Sequence, residues 1–544
     1  MQFNVRPYVC GGLGRIDTVV LGKLAAAGPR VRPALQTAEA ALFSSAPLPP
    51  YHRAGGSFAF SWGERRPAAL DGWMTVAETY ETPGLIGDGS RVTLHAGALG
   101  LVDVYYVRHG DAIYFSSLIQ PLLSLVPIEI DWSAWASILQ VTFPLGEVTP
   151  YQGVKRLPGS SALVFDGERL ATERGLPRWL RSEPYETWTS AHEIVELLHE
   201  VYKDYDGRKL LVPVSGGYDS RLLASVARAR GFDVESWTTS PDDGTDTDIA
   251  FARSITRELG ISHRVITQSA DAYPGDAAEV ARRLEYLTPH HAWYAPFAKE
   301  VHRSGRVLVD GLAGGPLLKN FMVSGAALEA TSQAERSAAV LKSLSLGAPS
   351  QPFLSEAASA WMDEAVREQF AAATSMLHGH RAELPLSVLH TRTVRGIARS
   401  AVNLVGPEAS FAAPFIHPDF FDAALSVGVA RKDKGRFYRE VLHAANPRVA
   451  ALPSTNVVKQ PLLRVPLRST AAPARAYAHR MLETVAARVP GLLSDELHMV
   501  IAGGPDALTR FSGWNDRFWI RGLVLFGLWL NDFENDLGEV SSPF

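Results

Sequence analysis

The spacing of hydrophobic and polar positions changes near residue 190. Up to about Ser182 the chain runs in short alternating or apolar stretches cut by Gly, Pro and Asp, as in "GSFAFSWG", "RVTLHAGALGLVDVYYV", "DAIYFSS" and "GSSALVFDGERL". Alternation between such breakers predicts strands and hairpins, with one short helix over "SAWASILQ". The Pro- and charge-rich "ERGLPRWLRSEPYETW" predicts a linker. Beyond it "KLLVPV", "DVESWTT" and "RVLVDG" are short and β-branched, and each lies beside helix-period sequence such as "DIAFARSITRELG". Strands alternating with helices predict a parallel sheet covered on both faces, and Ala-rich helices follow from about residue 325. The expected division is 1–185 and 190–544. The aromatics of "RFWIRGLVLFGLWL" recur at helical spacing and read as core.

Composition narrows the function classes. A chain of 544 residues exceeds one ordinary core. Its 46% apolar and 20% charged residues are those of a soluble globular protein. Lys and Arg number 53 against 57 Asp and Glu, a net charge of −4 that argues for neither nucleic acid nor acidic membrane as partner. The single cysteine, Cys10, excludes an intramolecular disulfide and a Cys-based zinc site, and fits a reducing cytosol. "MQFNVRPYVCGG" has no apolar run of signal-peptide length. "GLVLFGLWL" falls far short of the ~20 residues that cross a bilayer. A cytoplasmic protein is expected.

Chemistry concentrates in "LLVPVSGGYDSRLLASVARARG", which reads as strand, turn, helix, with the strand ending at Val214 and the helix starting between Tyr218 and Ser220. Gly216 and Gly217 allow backbone shapes closed to other residues and let a ligand approach the chain. Successive N–H groups in such a turn, with the helix N-terminus behind them, form an anion nest. Ser215 and Ser220 supply hydroxyl donors. Asp219 repels phosphate, so its task there would be to hold Mg²⁺ bridging phosphates. The alternative for two glycines and one acid alone is a tight turn whose Ser and Asp cap the helix. The Lys-Ser/Thr ending of a Walker A loop is missing, and "GGLGRI" lacks the third glycine of a dinucleotide fingerprint.

The turn resembles the Ser-Gly-Gly-x-Asp-Ser signature of ATP pyrophosphatases, and over nearly its whole length the chain resembles the glutamine-hydrolysing asparagine synthetase family. "VESWTTSPDDGTDTDIAFARSITRELGISHRVI" is similar to that family's second strand and helix, with Asp248, Phe251-Ala252 and His263 at the matching positions. "FAAPFIHPDFFDAALSV", "RFYREVL" and "LPSTNVVKQPL" resemble later blocks, the last being the loop that carries an active-site lysine, here Lys459. "GALGLVDVYYVRHGDAIYFSSLIQPLLSL" and "YQGVKRLPGSSALVFDG" resemble the end of the amidotransferase domain. The resemblance implies an α/β protein: an N-terminal amidotransferase-like αββα sandwich, then a parallel-sheet ATP pyrophosphatase (adenine nucleotide alpha hydrolase-like) domain with a helical C-terminal part. It implies ATP and Mg²⁺ as cofactors. Val214, Ser215, Gly216, Gly217, Asp219, Ser220, Thr239 and Gly311 would bind nucleotide, Asp219 and Asp310 would hold the metal, and Lys459 would act as a mobile cation. Backbone around Trp237 to Thr239 would meet the adenine.

Two departures qualify the resemblance. Residue 2 is Gln2, so the family's N-terminal cysteine nucleophile is missing. Cleavage after Val9 would expose Cys10, but the Arg-Gly-Pro-Asp segment has no counterpart and Trp62 stands where an Asn would bind glutamine. Cys10 then reads as a buried apolar residue. In "LVDGLAGGPLL", Leu312 and Gly315-Pro316 replace the acids of Gly-Glu-Gly-x-Asp-Glu, leaving Asp310 to hold metal or cap the turn. The expected activity is an AMP- and pyrophosphate-forming amide ligase without glutaminase activity. Lasso-peptide macrolactam cyclases and β-lactam synthetases are the comparable enzymes. Partners would be a small-molecule or peptide carboxylate, and for a cyclase a precursor peptide with leader-binding and protease proteins. Asparagine synthesis from ammonia and a silent ATP-binding homologue are the alternatives. Arg439 reads as structural, and His290-His291 as pocket-lining or structural.

Overall fold

The alternating stretches of the first half form two six-stranded antiparallel sheets in the computed structural model. The structure describes residues 2–3, 6–48, 50, 52–54, 57–63, 65–66, 82–88, 91–175, 189–345, 350, 352–458 and 464–544. One sheet runs Lys155–Arg156, Tyr105–His109, Ala112–Ser116, Val9–Gly14, Ala40–Ser44, Arg32–Gln36. The other runs Leu170–Arg174, Ser161–Phe165, Arg91–His95, Gly84–Asp88, Ser57–Ser61, His52–Ala54. Period-two alternation sends Val9, Leu13 and Leu42 into one core with Phe58, Leu85 and Leu94 of the second sheet. Cys10, Ala41 and Tyr114 point the other way, into a core shared with Leu21 and Leu24 of helix Thr18–Ala27 and with Trp135 of helix Trp132–Val141. Most of the expected linker lies outside the described residues, but its first residues, Glu173 and Arg174, belong to an edge strand.

The second half is α/β, as the alternating pattern predicts. Five parallel strands lie in the order Ser262–Ile266, Val234–Thr239, Leu210–Leu211, Val307–Val309, Phe411–Ala412. The first of these in sequence is central. The next two extend the sheet to one side and the last two to the other, so the order reverses beside Leu210–Leu211. Open α/β sheets bind ligands at that reversal, outside the carboxyl ends of the strands. The central strand is shorter than the sequence predicts. Pro213 has no N–H to continue the ladder, and the pairing passes to side chains: the Val214 N–H donates to Ser236 Oγ at 3.2 Å, and Thr238 Oγ1 donates to the Val214 carbonyl at 2.5 Å.

Helices fill the rest, ending in Trp514–Asp532, whose Trp519, Leu523, Phe526 and Trp529 are buried. Trp529 meets Trp135 edge-on with ring centroids 5.7 Å apart, so this aromatic helix is core between the halves. Among the described residues no helix is long and apolar enough to cross a membrane. From Leu389 to Ile397 and again from Arg399 to Val405 the backbone is π-helical, a geometry that usually lasts a single turn. Side chains take some of its carbonyls: His291 Nε2 reaches Gly396 O at 3.1 Å, and Arg399 Nε donates to Arg395 O at 3.0 Å.

Candidate active site

The Ser215–Ser220 turn sits at the end of the central strand, where the sheet order reverses, and leads into helix Asp219–Ala229, which no side chain caps. Neither Gly216 nor Gly217 has positive φ, which corrects the expectation that they supply a backbone shape closed to other residues. Gly216 is needed for close approach. A Cβ there would lie 2.7 Å from Thr455 Cγ2, 2.8 Å from Asp248 Oδ1 and 2.9 Å from Phe251 Cδ2. The nest is internally paired: Ser215 N–H donates to Ser220 Oγ at 3.0 Å, Gly216 N–H to Asp248 Oδ1 at 2.8 Å and Gly217 N–H to Ser215 Oγ at 3.2 Å. Asp248 thus places a carboxylate oxygen where an anionic ligand's oxygen would be received. Burial raises its pKa, and the hydrogen bonds from Gly216 and Thr455 lower it.

Asp219 begins the helix and faces the turn after the fourth strand. Gly311 and Gly314 make room for it: a Cβ on Gly311 would lie 2.7 Å from Asp219 Cβ, and one on Gly314 2.7 Å from Asp219 Oδ1. Ala313, between them, holds φ at 72°, a left-handed shape that costs a non-glycine residue energy. Asp219 Oδ1 and the Tyr438 hydroxyl are buried next to each other, and neither has a hydrogen-bond partner outside this pair among the described residues. Burial and the neighbouring Asp219 raise the Tyr438 pKa well above its ordinary value. Burial, then the charge of Asp219, pushes Asp310 up to about 6, against a hydrogen bond from the Leu312 N–H. Asp310 therefore accepts the turn's Leu312 N–H, the capping role, and lies close enough to Asp219 to feel its charge.

Two basic residues here have no signal in the sequence pattern. Lys319 ends the short helix Gly314–Lys319, with Nζ 3.6 Å from Asp219 Oδ2 and donating to Asn456 Oδ1 at 2.9 Å. Its ammonium lies 5.7 Å from the Tyr218 ring centroid and 5.8 Å from that of Tyr438. Arg221, fully buried, donates to the carbonyls of Val449 (3.1 Å), Leu452 (2.9 Å), Pro453 (2.7 Å) and Gly216 (3.3 Å). It clamps the 449–456 loop onto the turn, and Thr455 N–H and Ser454 Oγ complete the seam on Gly216 O at 3.0 and 2.8 Å. Lys459 lies outside the described residues, three positions beyond Asn456.

Other expected residues fall as follows. Thr239 ends the second strand, next to the central one. Trp237 is buried, its indole N–H donating to Glu235 at 2.6 Å. Arg439 Nη1 is bonded to Lys434 O at 2.9 Å, a structural contact. Burial pushes His291 down to about 4 and His290 well below its usual value. No group of three acids, His or Cys suited to a metal occurs among the described residues.

In the first half the residues expected to matter for glutamine are packed away. Cys10 lies inside the strand Val9–Gly14 and is fully buried, with burial pushing its thiol up to about 11. A thiol so raised is a poor nucleophile. Trp62 is also fully buried, stacked on Phe115 with centroids 6.2 Å apart and planes 10° from parallel.

No family model matches the chain, and no curated protein matches it. Among solved structures, an NMN synthetase from Francisella tularensis is similar at 20% identity, with a TM-score of 0.17, over 23% of this chain and 56% of that one. The chain therefore spans little more than half of that synthetase, and a likeness this slight leaves the functional reading to the turn and its surroundings.

Proposed function

We propose that the protein is an ATP-dependent, AMP- and pyrophosphate-forming amide ligase of the asparagine synthetase type. In this reading it adenylates a carboxylate and joins it to an amine not taken from glutamine. One observation carries it: the Ser-Gly-Gly-x-Asp-Ser turn lies at the sheet reversal, with Asp219 in a glycine-lined recess opposite Asp310 and Lys319. Residues 1–185 and 190–544 are proposed as the two domains, the first a retired glutaminase kept for structure or substrate binding.

The turn would grip the β,γ-phosphates of ATP, with Asp248 yielding the Gly216 N–H to a phosphate oxygen. The substrate carboxylate attacks the α phosphorus, giving the acyl-adenylate and pyrophosphate. Charge grows on the α-phosphoryl oxygens and the leaving group, where fixed donors and cations act most strongly. Lys319 is the cation beside Asp219 among the described residues, and Lys459, which lies outside them, is the proposed second one. An amine then attacks the acyl carbon and releases AMP. Asp219 and Asp310 are the acids that would hold Mg²⁺: two crowded carboxylates suit a hard cation, which would neutralise phosphate charge with water completing its shell.

Within this class a lasso-peptide-type macrolactam cyclase is the favoured reading, acting on a precursor peptide alongside leader-binding and protease partners. Ammonia-dependent asparagine synthesis is the second. Loss of the acids at Leu312 and Gly315-Pro316 supports a third, a silent ATP-binding homologue. Pyrophosphate and AMP release with ATP, Mg²⁺ and a panel of carboxylates separates them. Asp219→Ala should reduce that release by about 100-fold or more; unchanged turnover in the variant, or ADP as product, defeats the reading.

A further inference from the structure

Between the two halves lies a cavity of about 320 Å³ that shares no lining residue with the turn or with Asp219, Asp310 and Lys319. One wall is the 145–148 loop with Arg156 and Ser161, and the other is the end of helix Glu356–Thr374 with His390 and Arg395 of the π-helical run. Arg174 and Glu147 pair with each other at the rim, where the Arg174 side chain is 66% exposed.

Charge behind these walls is unbalanced. Arg156, Arg395 and Arg399 all lean on one carboxylate, the fully buried Asp103. Arg156 Nε donates to Asp103 at 2.7 Å and Arg399 Nη2 at 3.2 Å. Arg395 Nη1 stays 3.9 Å away and has no hydrogen-bond partner among the described residues, although the residue is only 1% exposed. Burial opposes ionisation of Asp103, but Arg399 and Arg156 outweigh it and hold the carboxyl well below the usual range. Burial pushes Glu285, a second acid near the cluster, up to about 8, and Glu147 on the cavity wall is taken up by Arg174. Burial, with Arg156 nearby, pushes His390 down to about 4, leaving a neutral imidazole on the wall. Three buried guanidiniums share one carboxylate, and Arg395 is left with the Pro144 and Val148 carbonyls, 3.0 Å from Nε and 2.9 Å from Nη2; burial, then Arg156 and Arg399, hold its pKa well below the ordinary value, a cost that an anion in the cavity would relieve. Buried charge without a partner is costly, and planar guanidiniums pair well with carboxylate and phosphate.

We propose that this cavity binds a small organic dianion, a dicarboxylate or a phosphate monoester, at a site separate from the nucleotide. Its volume lies at the small end of the roughly 300–1,000 Å³ typical of ligand pockets. Leu99, Val394 and Met376 on its walls suit a short hydrocarbon stem.

Calorimetric titration of the full-length protein with succinate, adipate and glycerol 3-phosphate, at low ionic strength and with succinamide as the neutral control, tests this. At least one of the acids should bind saturably at one site per chain while succinamide does not, and the carboxylate and phosphate arms identify the source of the dianion. Arg395→Met should weaken binding by about 10- to 100-fold. Ala373→Phe keeps every charge but puts a ring into the cavity across from Gly146, and should abolish binding. ATP titrated into the same samples should bind as it does to the unaltered protein. Failure of all three acids to bind, or undiminished binding by either folded variant, overturns the proposal. Because ATP uptake is read separately, its loss would count against the nucleotide site and not against the cavity.

Discussion

The two halves treat the positions of chemical interest in opposite ways. In the first, places where a glutaminase would need a nucleophile and an amide are filled: Cys10 is fully buried on the helix-covered face of its sheet, and Trp62 stacks on Phe115 in the core between sheets. In the second, places around the acid are emptied: Gly216, Gly311 and Gly314 each stand where a Cβ would lie under 3.0 Å from a neighbour. Filling stabilises a fold, because close-packed apolar volume is what core substitutions lose. Leaving off these side chains lets neighbours close in: Thr455 and Phe251 on Gly216, Asp219 on Gly311, and Asp219 and Phe415 on Gly314. The acid brought in by that approach stands beside Asp310 and Lys319, which gathers charge in the half where a ligand is proposed.

The comparison is broken most directly at Trp62. Trp62→Ala should destabilise the protein by about 3–5 kcal/mol in denaturant unfolding, while pyrophosphate release by the folded protein stays near its original rate. A large loss of release without a loss of stability would mean the first half takes part in the chemistry. Asp310→Asn probes the crowding of acids in the second half. The folded pKa of Asp310 is raised to about 6 from 3.8, so ionising it costs stability as pH rises from about 4 through 6. The Asn variant should therefore match the original below about pH 4 and gain up to about 3 kcal/mol above pH 6 without ligand. Parallel stability curves from pH 4 to 8 would remove Asp219 and Asp310 as a repelling pair.

Gly216→Ala should cost about 1–3 kcal/mol by overpacking and weaken ATP binding in calorimetry, because Thr455 and Asp248 must move; normal binding would show that the turn is looser than its contacts. Lys319→Met should lower the rate of pyrophosphate release by about 10- to 100-fold with ATP affinity changed less, and Lys319→Arg should restore part of it. Equal losses in binding and rate would make Lys319 a packing residue.

Much of this architecture was legible in the sequence. Period-two stretches such as "RVTLH" and "DAIYFSS" became the strands Arg91–His95 and Ala112–Ser116 because alternate side chains leave opposite faces: Val92 and Leu94 reach the core between the sheets, as do Ile113 and Phe115, while Ala112 and Tyr114 reach the helix-covered core. The strand–turn–helix at Ser215–Ser220 was readable because its glycines, serines and acid are contiguous. Lys319 was not, since a lone lysine nine positions after Asp310 carries no pattern until a six-residue helix turns it toward Asp219. Arg221 was hidden in the same way: it reads as a polar helical position, yet it is the clamp on a loop more than 220 residues further along. The π-helical run was equally invisible, because its residues have ordinary helical character and its side-chain partners, Asp103 and His291, come from elsewhere in the chain.

By itself, then, the sequence determined the local elements, the alternation of strands and helices and the glycine turn, all of which depend on near neighbours and on a repeating period. Tertiary structure alone decided where the chain reverses its strand order, which charges meet, and which are left over. Those depend on distances between residues far apart in sequence, where burial turns a weak surface charge into a strong one. The guanidiniums gathered around Asp103 and the meeting of Asp219 with Lys319 and Tyr438 are both of that kind.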